Sequence, residues 1–133
     1  MSCVFCDIVA GKVPCKKVAE NQNALAFLDI SPLSNGHTVI ISKQDYPDWQ
    51  ATPLNVLHDM VDLSVEVADL LTKKLKPWGF NYISNQGKMA SQAILHVHFH
   101  VIPKYAKGQG FKLDCNRVNI EDIEKIAKKL KAK

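Results

Sequence analysis

The segment Leu95 to Ile102 sets three histidines, His96, His98 and His100, in strict alternation with Val97, Phe99 and Val101. A β-strand repeats every two residues, so this pattern makes a strand with imidazoles on one face and apolar side chains on the other. Neighbouring imidazoles would stand roughly 6.5–7 Å apart along such a strand, at a rise of about 3.3 Å per residue. Histidine changes charge near neutral pH, so an aligned set suits nucleophilic or acid–base work or metal ligation. Three roles fit the pattern. Two histidines at i and i+2 can share an ion, but the third lies about 13 Å from the first, too far for a single site. A structural face would bury polar groups at a cost unless each found a partner. In the third role the middle imidazole attacks phosphorus while a flanking one binds a phosphoryl oxygen or assists the leaving group.

The remaining pattern predicts an α+β fold with a mainly antiparallel sheet rather than a doubly wound one. Strands are expected at 17–20 and 24–28, joined by Asn21-Gln22-Asn23, with a third at 37–42 after Gly36. Thr52 followed by Pro53 reads as an N-cap and first helical residue. Leu54, Leu57, Val61, Ser64, Ala68, Leu71 and Leu75 then recur at helical spacing, predicting one long helix to about Lys76, ended by Pro77. Strands at 80–84 and 95–102 follow. Asn119 is expected to cap a last helix with the stripe Ile120, Ile123, Ile126, Ala127 and Leu130. The histidine face of the fifth strand is then the ligand-facing side.

At 133 residues, 47% hydrophobic and 23% charged, the chain reads as a single domain over residues 1–133. Its net charge of +4 owes much to Lys125, Lys128, Lys129, Lys131 and Lys133, which suit a solvated helix end. No base-stacking aromatics interleave those lysines, so no nucleic-acid partner is expected. No run approaches the ~20 apolar residues of a membrane span, and no signal peptide is expected from Met1-Ser2-Cys3-Val4-Phe5-Cys6-Asp7. With Cys3, Cys6, Cys15 and Cys115 in such a chain, a reducing cytoplasm is expected rather than a disulfide framework. Gly108-Gln109-Gly110 reads as a flexible loop, and His58, inside the long helix, carries no assigned role.

The sequence resembles the histidine-triad (HIT) family, whose signature is His-φ-His-φ-His-φ-φ with φ apolar. The counterpart here is His96-Val97-His98-Phe99-His100-Val101-Ile102. Further blocks fall in the family's order: Phe5-Cys6-Asp7-Ile8, Leu25 through Pro32, Gly36-His37-Thr38 and Asn85-Gln86-Gly87. The resemblance implies a HIT-like fold, a homodimer, and an enzyme that cleaves the bond between a nucleotide α-phosphorus and its leaving group. It makes His98 the nucleophile, His100 the α-phosphate contact, His37 a member of the same cluster and His96 an orienting group. Asp29 matches the carboxylate that accepts from the ribose hydroxyls. Phe5, Ile8, Phe27 and Ile30 match the apolar wall around the base, and Asn85 and Gln92 the polar residues near phosphate and leaving group. Without the resemblance those apolar residues read as plain core, and Asp29 and Asn85 as turn residues.

One departure concerns the leaving group. Many members of the Hint branch carry Gly-Gln-Ser or Gly-Gln-Thr before the triad, where this chain has Ser91-Gln92-Ala93. The hydroxyl that helps protonate a nitrogen leaving group is therefore missing at Ala93, with Ser91 a hydroxyl nearby in the chain. Cys3-Val4-Phe5-Cys6 has the spacing of half a zinc site. In zinc-bearing relatives a histidine after the third strand and the first triad histidine complete it. Asp45 and His96 occupy those places here, implying one structural zinc on Cys3, Cys6, Asp45 and His96, or two small thiols with no ion. A redox role is disfavoured because the pair is not expected to open a helix after a strand.

The leading expectation is hydrolysis of purine nucleoside phosphoramidates or similar AMP conjugates through a nucleotidyl-histidine, with no metal needed for the chemistry. A dinucleoside polyphosphate hydrolase is the alternative among enzymes. A nucleotide-sensing or scaffold protein with weak residual hydrolysis is the alternative outside them.

Overall fold

The computed structural model describes residues 3–131, so Lys133 of the terminal lysine group lies outside the described residues. Five strands form one antiparallel sheet: β1 (Lys17–Glu20), β2 (Ala24–Leu28), β3 (Thr38–Ser42), β4 (Gly79–Ile83) and β5 (His98–Lys104), in the order β1-β2-β3-β5-β4. Three helices accompany it: α1 (Val4–Val9), α2 (Leu54–Leu75) and α3 (Ile123–Lys131). The α+β expectation holds. The β1–β2 turn closes as Asn21 predicts, its Oδ1 accepting from the Asn23 and Ala24 amides at 3.2 and 2.9 Å.

Register builds the two faces. Leu25 pairs with Ile41, which pairs with His98; Phe27 pairs with Val39, which pairs with His100. Paired residues point to the same side, so the apolar residues of β2 and β3 form a floor that continues directly into the histidines. The opposite face carries Ala24, Ala26, Ile40, Phe99 and Val101, all buried under α2. Each fully buried aliphatic or aromatic side chain there contributes about 1.5–3 kcal/mol, which fixes the register, because a slip of one residue would turn the histidines inward.

Helix α2 meets the sheet on a face rotated from the expected stripe but overlapping it. Val56, Met60, Leu63 and Val67 join the expected Leu57, Ser64, Ala68 and Leu71 in burial, whereas Leu54, Val61 and Leu75 are exposed. The helix is apolar on two sides, and only packing decides which one faces the sheet. Thr52 does not cap it: its hydroxyl donates to Asp48 O, and Pro53 holds the cap position. The stop is as expected, with Lys76 in a left-handed conformation just before Pro77. Gly36 runs under this end of α2 at φ +93°, where a Cβ would stand 2.9 Å from Leu75 Cδ1 and 3.0 Å from Leu71 Cδ2. Only glycine fits there, and the turn it permits delivers His37 to the start of β3.

The termini differ most from expectation. No pattern in the sequence pointed to α1, yet Cys3 caps it, its Sγ accepting from the Cys6 amide at 3.3 Å. The Cys-x-x-Cys pair therefore does open a helix, though among the described residues no strand precedes it. Strand β5 starts at His98 rather than Leu95, because residues 88–90 form a 3-10 turn and residues 91–97 an irregular approach. β3 and β4 each begin one residue away from the expected position. Helix α3 starts at Ile123, and Asn119 is no cap: its φ of +57° lies three residues upstream of the helix's approach. None of the α3 stripe is buried. Among the described residues no helix is long and apolar enough to cross a membrane.

Candidate active site

A cavity of about 340 Å³ opens on the histidine face of the sheet. β5 supplies His98 and His100, β2 and the turn after it supply Phe27, Asp29 and Ile30, and α1 contributes Phe5 and Ile8 from above. Seven of the sequence-derived binding residues therefore line one space. Ile30, 95% exposed, stands at the rim rather than in the wall. Val39, Cys15 and Ile94 are among the further residues of the wall. The β2–β3 register would have identified Val39 as the neighbour of Phe27, but no local signal marks Cys15 or Ile94.

Hydrogen bonds fix the tautomers of three imidazoles. Leu33 donates its amide to His37 Nδ1 at 3.1 Å, so the His37 hydrogen sits on Nε2. His37 Nε2 then donates to His100 Nδ1 at 2.9 Å, which places the His100 hydrogen on Nε2. His98 donates from Nδ1 to the His96 carbonyl at 2.7 Å, leaving the Nε2 lone pair free. The cavity thus meets one imidazole lone pair and one imidazole N–H side by side, with the two rings 5.2 Å apart. That spacing is tighter than the straight-strand figure because the rings lean together. Phe5 braces the pair edge-on, its ring 5.0 Å from that of His98.

All three histidines are held neutral. Burial lowers His98 and His37 below the ordinary histidine value, against a smaller pull upward from Asp29. His100 falls furthest, to about 4, through burial and then the neighbouring His98 and His37. The folded chain therefore resists a proton that the unfolded chain accepts from the ordinary value of 6.5 downward. The stability contribution is complete above pH 6.5 and is lost as pH falls toward about 4. After allowance for solvent screening the loss should be on the order of 2 kcal/mol, seen as a lower urea midpoint at pH 4.5 than at pH 7. His100→Gln should flatten that difference; an unchanged pH slope would mean the group does not resist protonation.

Asp29 serves two purposes. Its Oδ1 accepts from the Ser31 amide at 2.8 Å, the turn role, and its Oδ2 lies 3.5 Å from His37 Nε2 at the cavity wall. Asn85 and Gln92 do not line the cavity. The Gln92 amide is used up within the protein, accepting from Gly87 N at 2.9 Å and donating to Pro47 O and Ile94 O at 2.7 and 3.0 Å. Asn85 Nδ2 donates to Ser91 O at 3.4 Å. Both fasten the turn that leads into β5, a role the sequence does not reveal because their partners are backbone groups.

His96, fully buried, belongs to a second cluster. Its Nε2 donates to Ser42 O at 2.8 Å, which turns the Nδ1 lone pair toward Cys3 Sγ, Cys6 Sγ and Asp45 Oδ1 at 3.3, 3.5 and 3.3 Å. All four ligand atoms lie within 4.8 Å of one another. Tetrahedral zinc with bonds of about 2.0–2.3 Å spaces its ligands about 3.3–3.7 Å apart, so the donor set fits that ion. Burial, with Cys3 and Asp45 alongside, pushes the Cys6 thiol up to about 12. A dication bound among these donors would displace the thiol protons and offset the negative charge of the thiolates that remain.

The HIT domain model matches residues 10–107. Adenosine 5'-monophosphoramidase hnt1 of Schizosaccharomyces pombe is 37% identical over 137 aligned positions, covering all of this chain and 98% of its own. A crystal structure of a HIT-family protein from Bacillus subtilis superposes with a TM-score of 0.88 at 32% identity, covering 98% of this chain and 95% of that one. A zinc-bound histidine triad family protein from Mycobacterium smegmatis gives a TM-score of 0.78 at 36% identity, covering 88% and 86%.

Proposed function

Since this chain belongs to the HIT family, we propose that it is a hydrolase that cleaves the bond between the α-phosphorus and the leaving group of purine nucleoside phosphoramidates or related AMP conjugates. The observation that carries the reading is the hydrogen-bond chain from Leu33 through His37 to His100, set beside the His98–His96 bond. It presents a nucleophile and an electrophilic donor to one point without requiring any charged histidine.

The chemistry follows from those two nitrogens. His98 Nε2 forms a bond to the α-phosphorus as the bond to the leaving group breaks, giving a nucleotidyl-histidine. The His100 Nε2 hydrogen binds a phosphoryl oxygen, whose negative charge it meets as a neutral, preorganised donor. Water then attacks phosphorus from the side the leaving group vacated, the His98–phosphorus bond breaks, and AMP and a proton are released. Phe5, Ile8 and Phe27 hold the purine, and Asp29 accepts from the ribose hydroxyls. No metal takes part in these steps. Zinc held by Cys3, Cys6, Asp45 and His96 supplies cross-linking of α1 to the approach to β5, which keeps Phe5 over His98.

Asp29 is expected to set sugar selectivity. A 2′-deoxy substrate forfeits one charge-assisted hydrogen bond, worth about 1.5–3 kcal/mol, so kcat/KM should fall roughly 10- to 100-fold in the wild type. Asp29→Ala should discriminate less than about threefold between ribose and deoxyribose substrates. Equal discrimination by both proteins would leave Asp29 with its turn role alone.

The 133 residues are read as a single cytoplasmic domain that works as a homodimer. Support for the dimer comes from the open edge strand β4 and the apolar residues beside it. Val61, Val65 and Tyr82 are 46%, 56% and 58% exposed and border a groove with Trp49 and Phe99. A second copy laid against this side would cover both the groove and the unpaired edge. Steady-state turnover of adenosine phosphoramidate and of a diadenosine polyphosphate, measured side by side, tests the substrate reading. Faster turnover of the dinucleotide would transfer the activity to the polyphosphate class, and no turnover of either would leave a nucleotide-sensing protein.

A further inference from the structure

Ser91 sits where two cavities meet. It lines the histidine cavity together with His98, His100 and Ala93. It also lines an adjoining cleft of about 510 Å³ with Gly87, Lys88, Gln92, Ala93 and Leu95. A nucleotide in the first space would extend its leaving group into the second, past Ser91. Strand alternation does not govern this residue, because it lies in the turn before β5. Ser91 and Ala93 share one wall.

The backbone at Ser91 is unusual for a side chain of its type. Its φ of +73° and ψ of 27° are left-handed, a conformation that glycine adopts freely and serine does not. The conformation is held from several sides. Ser91 N donates to Lys88 O at 3.0 Å, Asn85 Nδ2 donates to Ser91 O, and the next residue, Gln92, is tied to Gly87, Pro47 and Ile94. Strain maintained by such a set of contacts is characteristic of functional positions. The Ser91 hydroxyl itself makes no hydrogen bond to another described residue, so it is available to a ligand.

We propose that Ser91 is a further catalytic residue, its hydroxyl hydrogen-bonding the departing nitrogen of a phosphoramidate and passing it a proton. The inference rests on the nucleotidyl-histidine reading above and names amine conjugates as the favoured substrate class. As His98 Nε2 bonds to phosphorus, the phosphorus–nitrogen bond breaks and its electron pair stays on nitrogen. Ser91 gives its hydrogen to that nitrogen and takes one from hydronium or a buffer acid through the water of the open cleft, so no alkoxide accumulates. One proton is thus taken up when the amine leaves, and one is returned when water releases AMP from His98. Ser91 in this way supplies the hydroxyl that Ala93 lacks.

The test is a leaving-group series on the zinc-replete full chain: AMP amides of alkylamines, whose nitrogen needs the proton, against the AMP p-nitrophenyl ester, whose phenolate leaves without one. Ser91→Gly and Ser91→Ala should each lose about 10- to 100-fold in kcat/KM on the alkyl amides and less than about threefold on the ester. Ser91→Gly should melt no lower than the wild type, since glycine relaxes at this φ. Ser91→Gly combined with Ala93→Ser should recover part of the amide activity. Wild-type amide turnover in Ser91→Gly overturns the proposal, as does an equal loss on amide and ester, which marks a purely structural role. Nucleotide trapped on His98 with an unaltered leaving-group profile sinks the Ser91 role alone. A wild type that forms no such adduct and turns over no conjugate overturns the underlying reading and this inference with it.

Discussion

Replacing His98 with alanine should lower turnover of any AMP conjugate by at least about a thousandfold while nucleotide affinity changes by less than about tenfold. The substitution removes the one imidazole lone pair aimed into the cavity. His100 cannot replace it, because its Nδ1 lone pair is occupied by His37 and its Nε2 carries the hydrogen. The apolar floor of Phe27 and Val39 and the Asp29 carboxylate remain to bind the nucleotide. Stopped reactions of the wild type with labelled nucleotide should place the label on His98, and calorimetric titration with AMP should show near-normal binding by the variant. Turnover in His98→Ala within tenfold of the wild type would refute the nucleophile assignment.

Loss of the metal should be the largest effect on stability. Protein prepared without chelator is expected to contain about one zinc per chain. Chelation, or Cys6→Ser, should lower the melting temperature by about 10–20 °C. An ion bound a thousandfold above its dissociation constant stabilises the fold by about 4 kcal/mol, and a domain of this size shifts by a few degrees per kcal/mol. The effect should be mechanical. His96 anchors one end of the approach to β5, Cys3 caps α1, and Phe5 of that helix braces His98. Turnover should fall only as far as that bracing loosens. Asp45→His should tighten zinc binding, since nitrogen replaces an oxygen on a side chain that is 58% exposed. Protein free of zinc even after resupply, with a melting temperature indifferent to chelator, would leave Cys3 and Cys6 as unmetallated thiols.

Periodicity along the chain determined the elements that depend on neighbours alone. Alternation through the histidine segment separates the histidine face from the α2 face, and the sheet reproduces that separation through residues 98–101. Pro53 and Pro77 bracket α2, and Asn21 closes the first hairpin, because each acts through its own backbone. The cavity-lining His98, His100, Asp29 and apolar residues and the clustered donors Cys3, Cys6, Asp45 and His96 were also legible, as residue types at matching positions.

What the sequence could not decide depends on backbone partners and on packing. The amide that sets the His37 tautomer belongs to Leu33, the carbonyl that orients His98 belongs to His96, and the one that orients His96 belongs to Ser42. Backbone groups are the same in every residue, so side-chain identity carries no sign of them. Helix α2 is apolar on two sides, and only the sheet selects Met60 and Val67 over Leu54 and Val61. Asn85 and Gln92 have the composition of ligand contacts, yet the fold uses them as fasteners. Nothing in the sequence marks Ser91 as a cavity residue, and a left-handed turn brings it to the cavity wall. For His96, Gln92 and α2 the deciding contact is tertiary. Local preference sets which conformations a segment can adopt, and the hydrogen bonds and packing of the assembled sheet choose among them.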